Sequence, residues 1–190
     1  MAVKRFHIYT SIYLEEKKLE KWLSDRKIYR SYLEIRSLDE LKEVKRPAEN
    51  YSVELVEPKD FQLNKFFYKT IGKNCQWIDR LIWTDLNWTD YIYNDQLFTY
   101  ILKDKSEIAG YFELLFNKQS KESEIAYFGI LEEYYGKKLG GYLLSEAIKS
   151  SFILEAKRVW VHTCSLDHEN ALKNYLARGM KIFKTEILIR

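Results

Sequence analysis

Apolar and polar residues alternate with a period of two along several stretches of the chain, which predicts strands, because successive side chains of an extended segment point to opposite faces. YSVELVEP alternates like a half-buried strand. QLFTYILKD, DKSEIAGYFELLFNK and KESEIAYFGILEE are β-rich runs joined by the short polar turns KDKSE and NKQSKES, an antiparallel meander. KRVWVHTCS predicts another strand, and MKIFKTEILIR one or two more. Between these runs the period becomes helical. In LGGYLLSEAIKSSF, Gly140, Leu143, Leu144, Ala147, Ile148 and Ser151 recur at the spacing of one helix face. Helices are also predicted at about 59–71 and 85–94, the second opening with Asp85 as N-cap. HENALKNYLARG reads as a short helix with Gly179 just past its end, in the C′ position.

The first fifty residues hold two strand-like runs, FHIYTSIYL and YRSYLEIRSL, around a charged helical segment, EEKKLEKWLSDRK. KRPAEN, at 45–50, is a charge-rich turn with Pro47 and the clearest boundary. The expected organisation is therefore an extension over 1–50 packed on the same domain, followed by the main domain over 51–190. Completing the sheet, covering an edge and building a homodimer interface are all open to that extension. Glu15 and Glu16 stand where a transit peptide would avoid acid, so the start reads as mature protein. The whole is a mixed α+β layout with helices on both faces of a sheet.

Composition narrows the classes. The 190 residues suit one domain with a full core. With 46% hydrophobic and 31% charged residues, and only 2 Pro and 7 Gly, collagen-like, low-complexity and disordered chains are excluded. Basic residues exceed acidic ones by only 3, and lysines are interspersed with glutamates, so no nucleic-acid partner is expected. Two cysteines, no signal peptide and no long apolar run point to a reduced cytoplasmic setting away from membranes.

One stretch carries candidate chemistry. In YYGKKLGGYLL, three of the seven glycines precede an apolar-faced helix beside two lysines. Gly136, Gly140 and Gly141 leave backbone N–H groups unobstructed at the positive end of the helix dipole, and Lys137 and Lys138 add point charges, a cradle for a phosphate diester. Neither a P-loop nor a dinucleotide-binding glycine pattern fits these letters.

The run EIAYFGILEEYYGKKLGGYLLSEAI resembles the acyl-coenzyme A signature of the GNAT superfamily of N-acyltransferases, Arg/Gln-x-x-Gly-x-Gly/Ala, laid on Tyr135, Gly136, Lys137, Lys138, Leu139 and Gly140. Tyr135 stands where Arg or Gln is usual, and Lys138 where the first Gly is usual. VWVHTCSLDHENALKNYLARGMKIF resembles the family's following block, with Ala171, Tyr175, Gly179 and Met180 in place and His168 where Asn is frequent. WIDR, EIAYFGI and HTCSLDHENAL together resemble a poorly characterised bacterial subgroup. The resemblance implies a GNAT-like, mostly antiparallel twisted sheet of about six to seven strands. It also implies acetyl-coenzyme A as co-substrate, held by Phe128, Gly129, Ile130, Leu131, the signature residues with Gly141, and His168, Ala171 and Tyr175.

Acyl transfer to an amine needs a neutral amine, a polarised carbonyl and a thiolate able to leave. Glu124 matches the base glutamate of the family's histone-acetyltransferase branch, six residues before Ile130. Glu113, a carboxylate inside the apolar run GYFELLF, is the second candidate. The carbonyl would meet a backbone N–H near Ile130, where Gly129 suggests a bulge. Tyr175 is the acid that the resemblance implies. The acceptor side is expected from NCQWIDRLIWTDLNW, with Trp77, Asp79, Arg80 and Trp83 as a ring-lined pocket for a cationic amine. His162, Cys164 and His168 lack the ligand count and spacing of a zinc site, so no metal is expected. The leading expectation is an N-acetyltransferase acting on a primary amine of a small molecule. A lysine or N-terminal protein amine, and a non-catalytic acyl-coenzyme A sensor, are the alternatives.

Overall fold

The computed structural model describes residues 27–189. FHIYTSIYL and nearly all of EEKKLEKWLSDRK lie outside the described residues. Strands are β1 (Lys27–Ile35), β2 (Tyr51–Leu55), β3 (Leu97–Asp104), β4 (Glu107–Asn117), β5 (Glu122–Ile130), β6 (Arg158–Cys164) and β7 (Lys181–Ile189), the last a single strand. Helices are α1 (Phe61–Cys75), α2 (Asp85–Ile92), α3 (Leu139–Ile153) and α4 (Ala171–Ala177). The strands form one sheet in the order β2-β3-β4-β5-β6-β1-β7. Every pairing is antiparallel except β5 with β6. The fold is the expected mixed α+β class with helices on both faces. β1 lies between β6 and β7, so a strand drawn from the first fifty residues is interior to the sheet.

The helical period of α3 explains its place. Leu143, Leu144, Ala147 and Ile148 are 0% exposed and pack with Leu33, Phe112, Leu114 and Val159 of the sheet. Full burial of each leucine there contributes about 1.5–3 kcal/mol. On the opposite face α1 lays the Phe67 ring parallel on Tyr111, centroids 4.3 Å apart. Gly179, at φ +93, ends the α4 segment as its C′ residue, as its letter suggested.

Two local expectations are corrected. The N-cap of α2 is Thr84, not Asp85: Thr84 Oγ1 accepts from Asn87 N at 3.3 Å while Asn87 Oδ1 accepts from Thr84 N at 3.0 Å, a reciprocal capping box. Asp85 is the first helical residue, ion-paired with Lys65. The bulge in β5 is at Ala126, not Gly129, since Glu113 faces Tyr127 while Leu114 faces Ile125. Gly129 pairs regularly with Tyr111 and is small for another reason, because a Cβ there would meet Ile71 Cγ2 of α1 at 2.6 Å.

Candidate active site

β5 and β6 pair over only three positions, Glu122 with Arg158, Ser123 with Val159 and Glu124 with Trp160. Both strands then continue, β5 to Ile130 and β6 to Cys164, without pairing with each other. The sheet therefore opens into a wedge, and the β5 edge that faces β6 carries main-chain groups with no ladder partner among the described residues. An extended chain bearing amides can add there as a strand would. A cavity of about 1170 Å³ occupies the wedge. Phe128, Gly129 and Ile130 line it along β5, and His168, Ala171 and Tyr175 along the β6–α4 side. Leu131 does not: it is buried, with its N–H donated to Ala109 O.

One end of the cavity meets the N-terminus of α3, where Tyr135, Gly136, Lys138, Leu139, Gly140 and Gly141 line it. Lys138 is the helix N-cap and makes no capping hydrogen bond, so the first N–H groups of α3 are left to solvent or a ligand. It sits at φ 60, ψ 20, the left-handed region that glycine adopts freely. The backbone thus has the conformation for which the family's glycine is suited, although the side chain departs. Lys137 is outside the lining and lies over the Tyr134 ring, 4.1 Å from its centroid. Tyr135 packs edge-on against the His168 ring at 5.4 Å.

Two residues that the sequence reading passed over complete this end. Asn174 Nδ2 donates to Gly140 O at 3.0 Å, fastening α4 to the start of α3. Arg178, the C-cap of α4, brings its guanidinium against Gly141, so a Cβ there would overlap Nη1. Its Nε is buried without a hydrogen-bond partner, burial holds its pKa below the ordinary arginine value, and no carboxylate pairs with it among the described residues. A half-buried cation at a helix N-terminus, with no counter-charge, fits a phosphate. The only hint in the letters was an Arg one residue before the C′ glycine.

Glu124 lies where β5 and β6 part, lines the cavity and makes no hydrogen bond or ion pair among the described residues. Burial pushes its carboxyl above the ordinary range, and the charge of Arg80 partly opposes this. Tyr175 lines the cavity at 6% exposure with its ring 6.2 Å from Phe128, and burial pushes its hydroxyl upward. Glu113 is arranged differently from a base. It is 0% exposed and absent from the lining, accepting from Asn64 Nδ2 at 2.8 Å and Tyr91 Oη at 2.6 Å and ion-paired with Arg80 at 3.5 Å. Its polar partners, invisible in a single strand's letters, explain a carboxylate in an apolar run.

The acceptor-side residues come from the connection between α1 and α2. Gly72 allows the Trp77 ring to pack against the end of α1, since a Cβ there would lie 2.8 Å from Trp77 Cβ. Trp77, Asp79 and Arg80 line the cavity. Asp79 accepts from Tyr68 Oη at 2.8 Å and Tyr127 Oη at 3.3 Å. Trp83 does not line it but packs edge-on against Trp88 at 5.0 Å, and Trp88 is 0% exposed in the core. Among the described residues no group of three or more His, Cys, Asp or Glu side chains is placed to hold a metal, and no helix is long and apolar enough to cross a membrane.

A model of the Acetyltransferase (GNAT) family matches residues 62–180. No curated protein matches the sequence significantly. Among solved structures, a GCN5-related N-acetyltransferase from Sphaerobacter thermophilus superposes with a TM-score of 0.64 at 13% identity, over 84% of this chain and 50% of that one. One from Kribbella flavida gives 0.60 at 12%, over 87% and 60%. An aminoglycoside acetyltransferase from an uncultured soil metagenomic sample, in complex with trehalose, gives 0.56 at 12%, over 68% and 87%. The chain spans 50% and 60% of the lengths of the first two.

Proposed function

The chain belongs to the GNAT acetyltransferase family, and on that premise we propose that it moves an acetyl group from acetyl-coenzyme A to the primary amine of a small molecule by direct transfer. The observation that carries this reading is the wedge between β5 and β6. An unpaired strand edge leads from Glu124 to the uncapped N-terminus of α3, where Arg178 lacks a counter-charge. An amide-bearing arm with a phosphorylated end suits that sequence of features.

The residues present fit acetyl-coenzyme A. The β5 edge at Phe128–Ile130 would hold the arm, and the N–H groups of Leu139, Gly140 and Gly141, with Lys138 and Arg178, would hold phosphate. Acetyl-coenzyme A supplies the activated acetyl group as a thioester. Glu124 takes a proton from the acceptor's ammonium, directly or through one water, because aliphatic amines are protonated near neutrality. As the new C–N bond forms and the C–S bond breaks, Tyr175 gives its proton to the departing sulfur, and the acylated nitrogen sheds its extra proton to water, from which the tyrosine is restored. Its upward-shifted hydroxyl is a weak acid, so this donation matters at the leaving step alone. Trp77 offers ring surface, and Asp79 and Glu124 carboxylates, to the incoming cation.

A second reading, with a peptide or protein amine as acceptor, has one feature in its favour. Beside the acceptor end the connection exposes Ile78, Leu81 and Ile82, with Leu86 just beyond, and Ile82 is 87% exposed. Such a rim suits an acceptor that brings apolar surface of its own. Thiol release from acetyl-coenzyme A over a panel of small primary amines, lysine peptides and free peptide N-termini tests both. Turnover led by small amines supports the first reading, and peptides outrunning every small amine replace it with the second. Binding of acetyl-coenzyme A with no release on any acceptor leaves the chain a sensor.

A further inference from the structure

We propose that Arg80 is a positioning residue of the reaction: a permanently charged group, caged in rings and anchored by Glu113, that keeps Glu124 ionised and able to act as base. The inference rests on the reading of Glu124 as base.

The geometry starts with β4. Glu113 and Leu115, two residues apart, share a face of the strand. Their β5 partners are Tyr127 and Glu124, brought to that same face by the bulge at Ala126. Arg80 lies over Tyr127, with its guanidinium carbon 4.1 Å from the ring centroid. The ring beneath it is therefore two paired positions from Glu124, roughly 7 Å along the strand direction. The cation is closely held. Its guanidinium carbon is 3.9 Å from the Tyr91 ring centroid and 4.6 Å from that of Trp83, and Nη1 is 3.5 Å from Glu113 Oε2. That Nη1 is buried and makes no hydrogen bond. Only 7% of Arg80 is exposed, yet it lines the cavity that Glu124 lines.

A guanidinium suits this role because it stays protonated where a buried ammonium would shed its proton. Glu113 in turn has both oxygens occupied by Asn64 and Tyr91, so it compensates Arg80 and has no bond to spare for substrate. The other groups around Glu124 do not supply this field. Leu115 opposes it on β4 and Trp160 on β6. His162 and Arg30 line the same cavity from the far strands, and Arg30 faces Glu186 at 3.7 Å. Asp79 lines it too, but its carboxylate is exposed to solvent and takes bonds from Tyr68 and Tyr127, so its opposing charge is screened more than that of Arg80.

The test is the pH dependence of kcat/KM for acetyl transfer in the native protein and in three variants. Glu124→Gln establishes whether the acid limb belongs to Glu124: the native limb should give way to a rise toward the acceptor amine's own pKa of about 10, and a limb that stays at its native position there overturns the base reading itself. The pair Arg80→Met/Glu113→Gln removes both buried charges while keeping bulk, a replacement that buried ion pairs often tolerate. With Glu124 present, this pair should move the acid limb upward by less than about one pH unit, because the opposing charge of Glu113 is removed with Arg80, with the alkaline plateau retained. Arg80→Gln, in which Glu113 can take up a proton, should move the limb the same way. A merely structural role would lower the rate evenly at all pH values. A limb that stays in place in either variant, with a cooperative melt, overturns the proposal while leaving Glu124 as base.

Discussion

Gly141→Ala separates the proposed phosphate-binding role of the α3 N-terminus from its folding role, because the two should respond in opposite directions. The added methyl would overlap Arg178 Nη1 and lie 3.2 Å from Val44 Cγ2. The guanidinium is the far end of a flexible side chain and can swing away at little cost to the fold. Val44 yields a few tenths of an ångström. In exchange, alanine inside a helix is favoured over glycine by about 1 kcal/mol. The variant should therefore melt at or slightly above the native temperature. Binding should suffer, since a displaced Arg178 forfeits a hydrogen bond to charged phosphate worth about 1.5–3 kcal/mol. That corresponds to roughly tenfold to a hundredfold weaker affinity for acetyl-coenzyme A. Calorimetric titration with a parallel thermal melt reads both quantities. Arg178→Ala should weaken binding to a similar extent, and the double variant little further, because both substitutions remove the same contact. Native-like affinity in a well-folded Gly141→Ala protein would refute the placement of Arg178 at the phosphate.

Three further substitutions have expected outcomes. Gly179→Ala forces a Cβ onto a residue at φ +93 and into the carbonyl oxygen of Glu40, so chemical denaturation should show a loss of about 2–5 kcal/mol. Lys138→Gly relieves a left-handed side-chain-bearing residue at about 1–2 kcal/mol but frees the unfolded chain by about 0.5–1 kcal/mol, so stability should rise by no more than ~1.5 kcal/mol while acetyl-coenzyme A binding loses a charge and part of its salt dependence. Glu124→Gln should replace the native acid limb with a rise toward the acceptor amine's own pKa of about 10 and lower neutral turnover about a hundredfold or more. The same substitution should stabilise the fold at neutral pH. The Glu124 carboxyl is pushed upward by burial, so its ionisation erodes stability as pH rises through that raised value, and melts of native and variant protein should converge in acid, below the ordinary carboxylate range.

Local periodicity carried most of the secondary structure into the letters. The meander β3–β5 and the buried face of α3 follow from alternation and helical spacing, both of which are short-range properties. Pairing between distant segments is not encoded that way. That β1 lies between β6 and β7, and that β5 and β6 part after Glu124, depend on contacts between residues more than a hundred and more than thirty positions apart respectively. The glycines at the α3 N-terminus were legible because few arrangements need bare backbone there. Arg178 was not, since its approach to Gly141 arises only when α4 folds back. Gly129 shows a single-letter ambiguity: a glycine in a strand marks either a bulge or a close neighbour, and here Ile71 of a separate helix decides. Glu113 shows the same limit for a buried charge, whose partners Asn64, Arg80 and Tyr91 come from α1, α2 and the connection between them.

The most direct measurement is a calorimetric titration with acetyl-coenzyme A beside one with adenosine diphosphate. The account predicts micromolar or tighter binding of acetyl-coenzyme A and much weaker binding of the diphosphate, because the unpaired β5 edge must be filled by the amide arm. Equal affinity for the two, or no binding of acetyl-coenzyme A to folded protein, would contradict it.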